Sequence, residues 1–591
     1  TEIYTLSLHD ALPISAFTNL ALRQAVLSTA KAMAGGSFLV EGGAEFFSAK
    51  PSEELTFGAT ALNASKQSKQ LAFVLDYTTT GAFGPEAKRK TTYVTLPAGQ
   101  RASAFWREAA PDKPGHYEVT VTLLEGGVVA DRITHDLVVE RRAAPTDDDF
   151  VKVVGDSFIY KGKPWYFKGI NYRPSWTGGY PNLNIYSREG YDPEIIERDL
   201  AWMNSIGINS ISGVFALQPA DLDDPDGYRD QTDFLDRCER HGVKAFFFMP
   251  NAWPLTNANP DWVKDYITKA GLKDHPAIMT WELAWEPISG ARGVPSGLAF
   301  FQGNWNDWVI ERYGSIENAI ADWGFDPKVE ADGRLPVPTL EQVRGHGEWD
   351  VMVAAFRRAW SDRYSQAYGQ MVNALREYDP RHLISFRFGA CSIPWGQAFA
   401  HAHSVGVLKH VDFMNPEGYS LMKAWGVPTP AEQIRKGGLI TLYFRHFSGE
   451  KPVVWMEFGY TANGFQDAWK QTQVDLKPEE LAYQKAEQEA FYKMFIDSGA
   501  GGAAHWWLPG GFRVGENSDL GVLEPDGLER PVCEILHEYL PQFDTVVHEP
   551  ATATIELDLD ANYPDAWDVY SEQYLALVQA GERPEVKTAG T

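Results

Sequence analysis

Cysteine is nearly absent. Cys238, Cys391 and Cys533 stand far apart and in no CxxC pairing, which excludes a disulfide framework and a thiolate metal cluster and assigns no compartment. Long apolar runs are missing too: no stretch of about 18 apolar residues is present to span a bilayer as a helix. The start lacks the basic segment and clean apolar core of a secretion signal. Positive charge is scarce: 53 Lys and Arg stand against 79 Asp and Glu, a formal charge of -26. A surface of that sign repels nucleic-acid backbones and anionic membranes, so neither is expected as a partner. A neutral ligand fits best. Tandem repeats and low-complexity segments are also lacking.

What the chain does have is length and aromatic side chains. At roughly 100–200 residues per domain, 591 residues predict more than one domain. Aromatics make up 13% of the chain, with 20 Trp, a share that suits flat, ring-shaped ligands or large interfaces. The opening TEIYTLSLHDALPIS resembles translated sequencing-adapter segments of the kind found in assembled environmental genes. Residues 1–15 are therefore set aside as foreign, within a lead segment spanning 1–36.

From 37 to 140 the sequence alternates apolar and polar residues in short runs, such as LAFVLDY, TTYVTL and HYEVTVTLLEGGVV, between Gly, Pro and Asn turns. That pattern predicts an immunoglobulin-like β-sandwich. Its single tryptophan, Trp106, offers no aromatic platform, so the module reads as structural. Residues 141–149, RRAAPTDDD, form a solvated linker, and a new domain is expected from 150 to 545. There the order becomes strand, helix, strand, repeated. Apolar strands fall at Tyr166–Ile170, Ile208–Phe215, Val243–Met249, Ala277–Ala284, Leu383–Phe388, Val411–Met414, Pro452–Met456 and Ala503–Trp507. Between the first two, Asp192 caps a helix, Pro193 occupies its first turn, Ile196, Leu200 and Met203 line one face and Gly207 ends it. Eight such units predict an α/β fold, a (β/α)8 TIM barrel, with an insertion between strands four and five. The tail from 551 to 591 reads as strand, helix and strand, the start of a truncated α/β domain.

Working residues of such a barrel sit at the C-terminal ends of its strands. Strand four, IMTWELAWEP, ends at Glu286, and strand seven, PVVWMEFGY, ends at Glu457. These strands face each other across a barrel, so both carboxylates can reach one cavity. Hydrolysis of a glycosidic bond needs such a pair: one carboxylate attacks or activates, and the other, kept protonated, serves the leaving oxygen. Trp285 and a second carboxylate both raise the pKa expected for Glu286, which suits an acid. A rim charge is the bland alternative for either Glu.

These residues resemble glycoside hydrolase clan A, whose members carry the acid/base Glu on strand four and the nucleophile Glu on strand seven. FKGINYRPSW, HPAIMTWELAWEP, FMNPEGY and DLGVLEPDGLERP look like family 5 cellulases and mannanases, while RYGSIENAIADWG resembles family 42 β-galactosidases. The resemblance covers about 150–543. It implies that Glu457 is the nucleophile and Glu286 the acid/base of a retaining enzyme. It also implies that Tyr419 is the strand-six tyrosine near the nucleophile, and that Trp506 is the strand-eight tryptophan under the sugar. The chain departs from the clan twice: Trp285 stands where Asn commonly precedes the acid/base, and Ser212 stands where a strand-two Arg commonly steadies the nucleophile.

Glu282 shares the parity of Glu286 and reads as a structural partner of Arg387, itself a candidate replacement for the missing positive charge. Trp176 and Trp253 follow strands one and three in loops, where a ring either stacks on a sugar or anchors the loop. Asn251 reads equally as a hydroxyl contact or a turn residue. The pair His401 and His403 lacks a third ligand and reads as surface. No metal or cofactor is expected, because two carboxylates supply both nucleophile and proton transfer. The expected function is therefore a retaining β-glycosidase acting on a galactoside, mannan or glucan; the alternative is a catalytically inactive carbohydrate-binding barrel.

Overall fold

The computed structural model describes residues 30, 36–79, 88–140, 142–174, 185–186, 190–216, 225–249, 259–285, 305–387, 405–422, 427–462, 476–511, 513, 518–546, 549–558, 560 and 565–589. The chain forms two compact units, 1–144 and 145–591.

The first unit is a β-sandwich. One sheet has three antiparallel strands, Ser37–Ala44, Glu54–Asn63 and Arg101–Ala109; the other orders Ser48–Ala49, Val128–Val139, Gly115–Glu125, Lys69–Thr79 and Lys88–Leu96. Alternate residues of both sheets, among them Phe57, Ala61, Phe73, Leu75, Val119, Val121 and Leu137, meet in one buried core. The period of two in the sequence is the cause: it sends every second side chain to the same face.

The second unit is a parallel barrel. Its strands are β1 Phe167–Asn171, β2 Ser210–Phe215, β3 Lys244–Phe248, β4 Ile278–Glu282, β5 Leu383–Arg387, β6 Phe413–Asn415, β7 Val454–Trp455 and β8 Gly502–His505. They run in the order β6, β5, β4, β3, β2, β1, β8, β7. The parallel bridges Met414 to Val453 and Glu417 to Glu457 join β6 to β7 and close the ring. Each strand overlaps the run expected for it; five lie inside it, and β1, β6 and β8 each reach one residue beyond it, at Asn171, Asn415 and Gly502. The helix after β1 spans Pro193–Ile206: Asp192 Oδ1 accepts from the Ile195 amide at 3.1 Å, and Gly207 ends it at φ 87°. That dihedral suits glycine, which has no Cβ to clash. The insertion between β4 and β5 carries helices Ile316–Trp323, Leu340–Arg344 and Asp350–Tyr378.

One element has no counterpart in the sequence reading. Before β1 a three-stranded antiparallel meander, Lys152–Val154, Ser157–Tyr160 and Lys163–Trp165, turns at Gly155 (φ 61°) and Gly162 (φ 73°). It places Phe158 edge-on to Phe413 at 5.1 Å, and Phe246 meets Phe167 at 4.7 Å and Phe413 at 5.5 Å. With Met279, Val454 and Ala504 these rings fill the N-terminal end of the barrel. Each buried ring stabilises the fold by roughly 1.5–3 kcal/mol. The tail strands Ala553–Leu557 and Pro584–Thr588 pair in parallel around helix Ala566–Gln579, and they belong to the same compact unit as the barrel.

Candidate active site

At the C-terminal end of the barrel the interior changes from rings to charges. Arg387, the last residue of β5, is fully buried and crosses the cavity. Its Nε and Nη2 donate to Glu282 Oε1 and Oε2 at 3.0 and 3.1 Å. This is the pairing expected from strand parity. Nη1 donates to Glu457 Oε1 and Nη2 to Ser212 Oγ. Asn415 adds a hydrogen bond from Nδ2 to Glu282 Oε1 at 3.1 Å. Burial pushes the Glu282 carboxyl up, against the opposing pull of Arg387 and Asn415. Burial also works against the Arg387 charge, yet Glu282, Glu457 and Glu417 together hold its pKa above the ordinary value. Three carboxylates thus share one guanidinium in a space with almost no water to screen them, an arrangement that holds only while the hydrogen bonds are complete.

Glu457 follows β7 and is 4% exposed. Its backbone is tied to the neighbouring strand: Gly418 N donates to Glu457 O at 2.7 Å and Met456 N to Pro416 O at 2.8 Å. With Arg387 on Oε1, the second oxygen accepts from the Tyr419 hydroxyl at 3.2 Å. Both oxygens are therefore oriented, by donors from β5 and from the turn after β6.

Trp285 stands three residues beyond the end of β4. The Arg387 guanidinium carbon lies 3.5 Å from its ring centroid. The same indole stacks on Phe215 at 5.0 Å and meets Trp506 edge-on at 6.0 Å. Trp285 is thus a lid on the buried charges as much as a wall of the cavity. Trp506 and Trp507 stack at 5.1 Å. The segment after β8 that carries them is braced by a buried pair: Arg530 Nη1 and Nη2 on the Asp519 oxygens at 2.7 and 2.9 Å, with Gly511 N donating to Asp519 Oδ2 at 3.2 Å. This brace explains the DLGVLEPDGLERP motif. Gly521 is required in it because a Cβ there would lie 2.3 Å from Gly510 Cα.

Of the residues singled out in the sequence, Trp285, Arg387, Tyr419, Glu457 and Trp506 converge at this end. Glu286, Trp176, Asn251 and Trp253, with His401 and His403, lie outside the described residues. Asn415 and Glu417, which no sequence motif singles out, are both fully buried beside the site. Their spacing of two within FMNPEGY puts them on the inward face of β6 and its continuation, and that parity was the available signal. Among the described residues no group of three or more His, Cys, Asp or Glu is placed to hold a metal ion, and no helix is long and apolar enough to cross a membrane.

No protein-family model matches the chain. A curated rat (Rattus norvegicus) protein named Beta-glucuronidase is 24% identical over 209 residues, 34% of this chain and 27% of that protein, so the match spans about a quarter of the relative's length. Among solved structures, the β-galactosidase of the psychrophilic Marinomonas ef1 superposes with a TM-score of 0.50 at 15% identity, over 72% of this chain and 70% of that one. A GH5_18 protein of Bifidobacterium longum, solved with Manβ1-4GlcNAc, gives a TM-score of 0.46 at 13% identity, over 72% and 91% of the two chains. At these identities the likeness to the Marinomonas structure is one of fold: this chain is similar to a glycosidase barrel in its architecture.

Proposed function

We propose that this chain is a glycoside hydrolase of the retaining β-type, with Glu457 as nucleophile and Glu286 as acid/base. One observation carries the reading: a buried carboxylate at the C-terminal end of β7 has one oxygen held by a guanidinium and the other by a phenol. A carboxylate held this way keeps a fixed aim, as attack on an anomeric carbon requires. In the sequence Glu286 follows Glu282, the last residue of the facing β4, by four positions. In the first step Glu457 forms a bond to the anomeric carbon while Glu286 gives its proton to the departing oxygen. In the second, Glu286 takes a proton from water, which displaces Glu457. Arg387 supplies the positive charge that the clan draws from strand two, and its contact with the Ser212 hydroxyl puts that charge beside the vacated position. The rings of Trp285 and Trp506 form the sugar platform, with Trp176, Trp253 and Asn251 contributing from the loops. The substrate is a β-linked galactoside, mannan or glucan, and the rat relative's name adds β-glucuronides to the candidates.

The test separates the two roles. Glu457→Ala is inactive on all substrates. Glu286→Ala keeps turnover of an activated aryl glycoside, whose leaving group departs without a proton, and added azide accelerates it to a β-glycosyl azide. Azide rescue of Glu457→Ala to an α-azide, with Glu286→Ala unaffected, reverses the assignment. No turnover of any β-glycoside by the native protein, together with binding of sugars, establishes the inactive binding barrel instead.

A further inference from the structure

Helix Pro478–Asp497, between β7 and β8, buries a carboxyl that the reaction does not use. Glu487 is 4% exposed, and its Oε2 accepts from the Thr429 amide at 3.1 Å. Its Oε1 and the Thr429 hydroxyl are both buried without a hydrogen-bond partner among the described residues. The helix meets the chain after β6 at two further points. Phe491, one turn on from Glu487 and on the same face, packs on Gly418 so closely that a Cβ there would lie 2.7 Å from its ring. Met494 and Leu421 close together on Gly437, 2.9 and 2.5 Å from where its Cβ would stand. One helix face therefore holds Gly418 and Thr429. The residue after Gly418 is Tyr419, whose hydroxyl donates to Glu457 Oε2 at 3.2 Å.

Resting on the glycosidase reading, we infer that Glu487 is a positioning residue for the nucleophile: uncharged, it clamps Thr429 and the turn carrying Tyr419 to the helix, and ionised, it loosens that turn and the hold on Glu457. A neutral carboxyl keeps one oxygen for the Thr429 amide and gains an O–H donor, whereas a buried anion with a single amide and no cation has lost its water without replacement. The charged groups on the elements around it are engaged elsewhere. Lys485 of the same helix pairs with Glu534 of helix Cys533–Tyr539, and Arg445 of helix Gly438–Ser448 pairs with Asp156. Helix Ala431–Arg435 carries the exposed Glu432, and its Arg435 acts on Asp497 and Tyr574 at the far end. After β7 come Tyr460, its acceptor Glu480 and Tyr483. His505 of β8 is kept uncharged by burial and is bonded to Gln488, and Glu417 acts on Arg387. Burial accordingly pushes the Glu487 carboxyl up to about 7, against the pull of the Thr429 amide. Its contribution to stability is present below the ordinary 4.5 and is lost as pH rises through 7.

The test follows two amides in the native protein labelled with nitrogen-15 at threonine and glycine. The Thr429 and Gly418 resonances are expected to shift together between about pH 6 and about pH 8.5, with one midpoint near 7, while that of Gly207, at the end of the helix after β1, stays still. In Glu487→Gln, which keeps the shape of the neutral acid, neither is expected to move. Titration of Thr429 without Gly418, titration of neither, or titration of both in Glu487→Gln overturns the inference. The native titration needs no variant, so it stays decisive even if Glu487→Gln fails to fold. Activity supplies a second arm. In a Glu286→Ala background, which takes the acid/base out of the profile, kcat/KM for an activated aryl β-glycoside is expected to fall roughly tenfold from about pH 6 to about pH 8.5. Adding Glu487→Gln is expected to flatten that profile, and a fall that persists in the double variant overturns the coupling. If no glycoside reacts, the glycosidase reading fails by itself and the amide titrations decide whether Glu487 holds the Tyr419 turn.

Discussion

The two ends of the barrel are built from the same eight strands and hold opposite interiors. At the N-terminal end the meander and the rings of Phe158, Phe167, Phe246 and Phe413 exclude water with apolar surface alone. At the C-terminal end Glu282, Arg387, Asn415 and Glu457 fill a similar cross-section with charge. The difference teaches where stability and chemistry are separated. An apolar plug tolerates partial loss because its contacts are many and non-directional. The charged layer fails together, because each member satisfies another.

The largest effect expected is at the charged end. Arg387→Met leaves Glu282 buried without its cation, and destabilisation of about 3–5 kcal/mol should accompany near-complete loss of activity. Denaturant unfolding measures the first and turnover of an aryl glycoside the second. An unchanged unfolding midpoint would break the comparison, since the layer would then contribute nothing to the fold. At the other end Phe158→Ala removes one ring of the plug. A loss of about 3–5 kcal/mol is expected with kcat of the folded protein unaltered, and a matching fall in kcat would show that the two ends are coupled.

A third measurement varies pH. Burial depresses His505, at the end of β8, to about 4. The unfolded chain takes up that proton near pH 6.5, so this contribution is fully present above pH 6.5 and is lost as pH falls towards 4. The difference of roughly 2.5 units corresponds to about 3 kcal/mol. In a His505→Gln variant the unfolding free energy should lose that part of its pH dependence, and an identical profile would exclude His505 as the source. The smallest effect is a control away from both ends. Asp192→Ala removes the side-chain cap on the Ile195 amide and should cost about 1 kcal/mol, read as a shift in Tm with no change in kcat.

The barrel was legible because its strands are apolar runs punctuated by Gly, Pro and capping residues, and Asp192, Pro193 and Gly207 mark one helix at both ends. The meander was not, although VKVVGDSFIYKGKPW holds two hairpin turns. Its strands are only three or four residues long, and such runs gain their stability from the rings beneath them rather than from local pattern. At the site, Glu282 and Arg387 were paired by parity alone, a local rule that survives folding. The pairing of Arg387 with Ser212, from strands three apart in the barrel, is a contact across the cavity. Nothing local to ISGVF announces it. Asn415 and Glu417 are hidden for a different reason: in FMNPEGY the resemblance marks only the tyrosine, and the inward parity of the two polar residues is a weaker signal.

The closure of the barrel has a consequence for motion. Between β6 and β7 the ladder is reduced to isolated bridges, and one of them pairs Glu417 with Glu457 itself. The Gly418 amide is held by the carbonyl of Glu457, and the next residue is the tyrosine on its carboxylate. Any breathing of this seam therefore frees that amide and slackens the hold on the Glu457 carboxylate in the same event. Hydrogen exchange at Gly418 then becomes a clock for how often Glu457 loses its aim, readable in the resting protein without any substrate.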